Sequence, residues 1–182
     1  MLFMRTFIAI DLPEEIKSRI ADVSEQFSAS GIVIVHPDVM HISLHFLGER
    51  SDDEIEKIKD AMGELRAKPF RIEIKELGVF TPDYLKVIFA KVAAGREECG
   101  DVYNQLSASM SARGFQLEQR DYTPHVTIAR IKRLKDKRRI LALIDEYSNE
   151  GFGSFEAASV KLKASELTED GPIYRDLHEV KF

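Results

Sequence analysis

The chain has 182 residues, 44% of them apolar and 31% charged, with a net charge of −5 at pH 7. That length suits one domain or two small lobes, and no stretch is low in complexity, so a folded unit without long tails is expected. The acidic balance argues against a protein that coats nucleic acid indiscriminately. The run Met1-Leu2-Phe3-Met4 is too short for a signal peptide or membrane span, and a lone Cys99 excludes an internal disulfide and fits a reducing cytoplasm.

The first predicted element is a strand over residues 5–12, where Phe7, Ile8, Ile10 and Leu12 supply aromatic and β-branched content. Pro13 then opens a helix whose first turn carries Glu14 and Glu15, suited to the positive end of the helix dipole. Its apolar stripe is Ile16, Ile20, Val23 and Phe27. A second strand is expected over 40–47 and ends at Gly48; Ser51 caps a helix marked by Ile55, Ile58, Met62 and Leu65. The order is strand, helix, strand, helix.

An inserted strand with alternating Phe70, Ile72 and Ile74 comes next, with a turn at Thr81-Pro82-Asp83, and then the order repeats. Residues 85–92 read as a strand, Tyr103, Leu106 and Met110 stripe a helix ending near Gly114, and Tyr122-Thr123-Pro124 leads into another strand, because proline favours extended backbone before it. Ile140, Leu143, Ile144 and Tyr147 mark the closing helix, and two more strands are expected near 155–162 and 174–182.

The strands that begin near Met40 and at His125 carry the chemistry. His41-Ile42-Ser43-Leu44 and His125-Val126-Thr127-Ile128 share the pattern His, any residue, hydroxyl residue, apolar residue. Side chains of a strand alternate between faces, so each segment sets an imidazole and a hydroxyl on one face and two apolar residues on the other. Two such matches arise by accident in about one sequence in fifty of this composition, so their context must decide. From Phe7 to His41 is 34 residues and from Val87 to His125 is 38, so both motifs occupy the same place in a repeated unit of roughly 4–66 and 85–148. The whole chain, 1–182, is therefore read as a single bilobal α+β domain. Its two pseudo-symmetric lobes each have an antiparallel sheet backed by helices, with a groove between them.

The segments Arg5-Thr6-Phe7-Ile8-Ala9-Ile10-Asp11-Leu12-Pro13, His41 to Glu49, Gly78-Val79-Phe80 and Thr123 to Arg130 resemble the two-histidine (2H) phosphoesterase superfamily and its HxTx motif. Within it they are similar to the RNA 2′,3′-cyclic phosphodiesterases, also called 2′-5′ RNA ligases. The likeness extends to Gly171-Pro172-Ile173-Tyr174. It implies a bilobal cytoplasmic monomer with no cofactor and no metal, acting on an RNA or nucleotide with a 2′,3′-cyclic phosphate end, tRNA being one candidate source.

Opening such a ring needs one group to take a proton and another to give one, on opposite sides of phosphorus. Two imidazoles with an ordinary pKa of about 6.5 supply both states near neutrality. His41 and His125 are thus the expected catalytic pair. Ser43 and Thr127 are the expected donors to the phosphate oxygens, since fixed donors stabilise the charge that develops there. Arg130 is a candidate phosphate ligand, but strict alternation from His125 turns it to the opposite face unless a bulge intervenes. It also opens a basic run, Arg130 to Arg139, with seven cations against Asp136. The alternative is a non-catalytic RNA- or nucleotide-binding module that keeps the groove. His41 and His45, four apart on a strand, are about 13 Å apart by rise, too far to share one metal ion. His45 stands where the family often carries lysine and is expected to touch phosphate or face solvent. Phe80 and Tyr84 are candidates for stacking on a base, with core packing the expected role, and His36 and His178 have no assigned role.

Overall fold

The computed structural model describes residues 3–118, 121–169 and 171–182, so Met1 and Leu2 of the N-terminal apolar run lie outside the described residues. Among the described residues nine strands are found: β1 (Phe3–Asp11), β2 (Ile32–Ile34), β3 (His41–Ser51), β4 (Phe70–Val79), β5 (Val87–Ala94), β6 (His125–Ile131), β7 (Gly151–Ala157), β8 (Ser159–Thr168) and β9 (Gly171–Lys181). Four α-helices join them: α1 (Glu14–Ser24), α2 (Asp52–Gly63), α3 (Arg96–Ala112) and α4 (Lys137–Glu146). The α+β class and the repeated strand-helix order stand as read from the sequence.

All nine strands belong to one sheet in the order β7-β4-β5-β6-β3-β1-β8-β9, with β2 lying on β6. The two motif strands are its central neighbours, and a single antiparallel pair, Ile42 with Val126, joins them. One half-sheet is β3, β1, β8 and β9; the other is β6, β5, β4 and β7. The helices cover the face away from the histidines, where Ile8, Ile10, Ile42, Leu44, Val126 and Ile128 merge with Ile16, Ile20, Ile55 and Ile58 in one apolar core.

The first helix of each repeat crosses to the other half. Helix α1 comes after β1 in sequence but packs on β6 and β7, and α3 comes after β5 but packs on β3 and α2. At one of these crossings Gly153 of β7, with φ of +129°, lies so close to Ile16 that an added methyl would stand 3.2 Å from its side chain. Exchange of the helices buries each half-sheet against the other.

Local chemistry explains the boundaries. Ser51 and Glu54 form a reciprocal capping box at the start of α2, and the Asp136 carboxylate accepts from the Arg139 N–H at the start of α4. Two expectations need correction, and one strand is new. Gly48 does not end its strand: at φ +74° it lets β3 bend and continue to Ser51. The strand expected over 155–162 is two strands, β7 and β8, which part at Ala158 and run to opposite halves of the sheet. The short β2, whose Val33 is paired with Arg130, has too few residues for a periodic signal.

Candidate active site

A bulge at the fourth motif position of each motif strand shapes the site. On β3, Ala9 pairs with Ser43 and Ile8 with His45, leaving Leu44 as an extra residue; on β6, Phe89 pairs with Thr127 and Ile88 with Ala129, leaving Ile128 extra. An inserted residue resets the alternation of the rest of its strand. His45 and Ala129 therefore turn into the core, and Phe46 and Arg130 turn to the histidine face. The bulge that Arg130 required is present, and β3 has its counterpart.

A groove of about 550 Å³ runs over this face, lined by His41, Ser43, Phe46, Thr127, Arg130, Tyr174 and residues of β2 and the β8–β9 hairpin. That volume is in the range of small-molecule sites. With Ile42 paired to Val126, the antiparallel register sets His41 across from Thr127 and Ser43 across from His125. The two histidines are then diagonal neighbours on one face, a relation that separates Cβ atoms by about 7 Å.

Each imidazole is oriented in the same way. The carbonyl of Val39 accepts from Nδ1 of His41 at 2.8 Å, and that of Thr123 accepts from Nδ1 of His125 at 2.7 Å. Both acceptors lie two residues before the histidine. A proton held on Nδ1 leaves Nε2 as the acceptor nitrogen of the neutral ring, and the Ser43 hydroxyl donates to Nε2 of His41 at 2.8 Å. Aromatic rings wall both sites: Phe7 and Tyr174 lie 4.8 and 5.5 Å from the His41 ring, and Phe80 and Phe89 lie 4.9 and 5.0 Å from the His125 ring.

Burial lowers the pKa of His41 to about 4; the Val39 carbonyl opposes this shift, Lys163 adds to it, Asp11 opposes it and His125 adds to it. Asp11 is the cross-strand partner of His41 and belongs to a four-charge cluster: Lys161 lies 2.9 Å from its carboxylate, Lys163 also 2.9 Å, and both lysines reach Asp176 at 2.8 and 2.6 Å. Burial opposes ionisation of Asp11, but hydrogen bonds from the two lysines outweigh it and hold its pKa below the ordinary value. Burial raises the pKa of the Tyr174 hydroxyl while the charge of Arg130 lowers it, so the guanidinium is felt across the groove.

His45 neither touches the groove nor faces solvent. It is 5% exposed, stacks on Tyr103 at 4.2 Å, and its Nε2 lies 3.0 Å from the Tyr103 carbonyl and 3.1 Å from the Ser107 hydroxyl. Tyr122 continues the stack at 4.3 Å and donates its hydroxyl to the Ser43 carbonyl at 3.2 Å, so three rings brace β3 from behind. Phe80 and Tyr84 are not core residues: they are 54% and 67% exposed, Phe80 against His125 and Tyr84 under Lys86. His36 lines the far end of the groove. Asp11, Phe46 and Tyr174 lie in the segments that carry the family resemblance, but nothing local assigns them to the site, because the bulge and strand pairing that bring them here are non-local. Among the described residues no group of three or more His, Cys, Asp or Glu is arranged to hold a metal ion. No helix among them is long and apolar enough to cross a membrane.

Residues 12–160 match the family model described as the 2′-5′ RNA ligase superfamily, and the chain belongs to that superfamily, the two-histidine phosphoesterases. A Methanocaldococcus jannaschii protein named RNA 2′,3′-cyclic phosphodiesterase is 37% identical over 177 residues, covering 97% of this chain and 99% of its own. A Thermotoga maritima protein of the same name is 32% identical, covering 98% and 96%. Escherichia coli LigT, in a crystal structure with 3′-AMP, shares the fold with a TM-score of 0.82 at 22% identity, over 99% of this chain and 98% of that one. The structure of TT0787 of Thermus thermophilus gives 0.81 at 26% identity, over 98% and 97%.

Proposed function

We propose that the chain is an RNA 2′,3′-cyclic phosphodiesterase, with His41 and His125 transferring protons and Ser43, Thr127 and Arg130 holding the phosphate. The observation that carries this reading is the pair of identically oriented imidazoles on adjacent central strands, each with a hydroxyl two residues on and a bulge after it. Relatives at 37% and 32% identity over nearly the whole chain, both bearing that name, support the substrate class.

Water attacks phosphorus as one imidazole takes its proton; the P–O3′ bond breaks, and the other imidazole protonates O3′ to leave a 2′-phosphate and a free 3′-hydroxyl. His41 is the acceptor in this scheme, because burial between Phe7 and Tyr174 keeps it neutral well below pH 6.5, and His125 is the donor. The Ser43 hydroxyl, which donates to His41 before substrate arrives, swings to a phosphate oxygen; Thr127 and the Arg130 guanidinium serve the others. A ribose 5′-hydroxyl in place of water gives a 2′-5′ linkage by breaking the same bond without ATP. Ligation is the second reading, favoured by the superfamily's name.

The test is turnover of an oligoribonucleotide ending in a 2′,3′-cyclic phosphate, with the product identified as the 2′-phosphate by phosphorus NMR. His41→Ala and His125→Ala are each expected to lose about 10²–10⁴-fold in kcat while binding survives. Unchanged turnover in both would overturn the assignment and leave a binding module. Oligonucleotides with 5′-hydroxyl ends, added in excess, reveal any ligation in the same assay.

A further inference from the structure

The groove is large enough for the terminal nucleotide, and an RNA attached to that nucleotide must leave by one of its two ends. The two ends differ sharply in charge. At one, beyond Phe46, the tip of the β8–β9 hairpin exposes Glu166 and Glu169. At the other, Arg130 passes directly into Lys132, Arg133, Lys135 and Arg138, all exposed, and Lys86 lies beside them. Across 80–86 and 130–139 there are eight cations against two acids, Asp83 and Asp136, in a chain whose net charge is −5.

This run is held in place by the backbone rather than trailing into solvent. The Ile131 N–H donates to the Lys86 carbonyl at 2.8 Å, and the Lys132 and Arg133 N–H groups donate to the Gly31 carbonyl at 2.8 and 3.0 Å. Gly31, with φ of +91°, lies so close to Arg133 that an added methyl would stand 2.5 Å from its carbonyl oxygen. Lys137 is held 3.5 Å from Asp83, and Arg139 donates to the Gln26 carbonyl, so both are already engaged. Tyr84 offers an exposed ring beside the run, with the Lys86 ammonium 4.8 Å from its centre. Cations on a fixed backbone, interleaved with an exposed aromatic and continuous with the groove, form a track for single-stranded nucleic acid.

We propose that the surface from Arg130 through Lys132, Arg133, Lys135 and Arg138, with Tyr84 and Lys86 as its second rail, binds the backbone of the RNA on the 5′ side of the cyclic end. The occupant is single-stranded RNA of about four nucleotides, the short end of the range for such sites. This inference rests on the proposed function for the identity of the bound end, but the track acts on binding rather than chemistry.

The test compares a 2′,3′-cyclic mononucleotide with a hexaribonucleotide ending in the same group, using the wild type and the variant Lys132→Glu, Arg133→Glu, Lys135→Glu, Arg138→Glu. The hexamer is expected to lose at least tenfold in kcat/KM at 50 mM salt, and the mononucleotide less than twofold. Equal loss on both substrates, or none on either, overturns the proposal. The wild type gives a reading free of any folding defect: its kcat/KM for the hexamer should fall with salt more steeply than for the mononucleotide, by a log–log slope of about 0.7 per contacted phosphate. Equal slopes overturn the track. Anisotropy of a labelled hexamer ending in a 3′-phosphate separates the two proposals. If nothing is turned over yet the variant binds tenfold more weakly, the phosphodiesterase reading fails and the track stands; if turnover is normal and binding unchanged, the reverse holds. Competition by polyglutamate as strong as by RNA would overturn RNA as the occupant.

Discussion

The half of the groove built around His41 and the half built around His125 share one backbone plan and differ in what that plan displays. Both have a carbonyl two residues back, a hydroxyl two residues on, an extra residue at the fourth position and aromatic walls. Across the ladder, however, His41 faces Asp11 with its lysines, whereas His125 faces Lys91, which is bonded to Glu76 at 3.1 Å. After the bulge, one half presents Phe46 and the other Arg130. A repeated scaffold fixes where groups stand, while the residues chosen at equivalent positions decide how a substrate lies between them. The apolar Phe46 side suits a nucleoside and the Arg130 side its charged phosphate.

After the histidines themselves, the hydroxyl positions should show the greatest losses. Thr127→Val and Ser43→Ala each remove one donor to the developing charge and are expected to lower kcat by about 10²–10³-fold, measured by steady-state kinetics. A loss at only one position would undo the equivalence of the two halves. Next come the residues after the bulges. Arg130→Ala is expected to cost about 10–100-fold in kcat/KM, the worth of a hydrogen bond to a charged group. Phe46→Ala should act mainly on KM, and by less, because it removes contact area rather than charge. Similar losses from both would mean that neither side is reserved for phosphate.

The smallest effect is on stability. His41 has a folded pKa of about 4 against about 6.5 unfolded, so between those values the unfolded chain binds the extra proton. Its contribution is fully present above pH 6.5 and is lost as pH falls toward 4, with an upper bound of about 3 kcal/mol. Denaturant titrations at pH 7 and pH 4.5 should show that His41→Asn loses less stability on acidification than the wild type. Equal losses would mean that His41 is not held neutral by burial.

Much of the fold is legible in the sequence because apolar residues at helical and alternating spacing report burial directly, as with Ile16 and Ile20 or Ile72 and Ile74. The candidate pair is legible because each motif carries its own alternation. Register is not. Nothing local in Leu44 or Ile128 reveals an extra residue, since the count is set by the partner strands β1 and β5. For that reason the sequence misplaces His45, leaves Phe46 unmarked and keeps the reach of Arg130 open. The crossing of α1 to β7 is hidden similarly, because an amphipathic stripe shows that a helix is covered and not by what.

The paired bulges bear on how a repeated strand plan can present different groups. Because the inserted residue turns only the positions C-terminal to it, the histidine and hydroxyl at the first and third positions keep one orientation on both strands, while the sixth carries Phe46 on one and Arg130 on the other. Exchanging Phe46 or Arg130 therefore alters what the groove face presents while leaving in place the hydrogen bonds that orient His41 and His125.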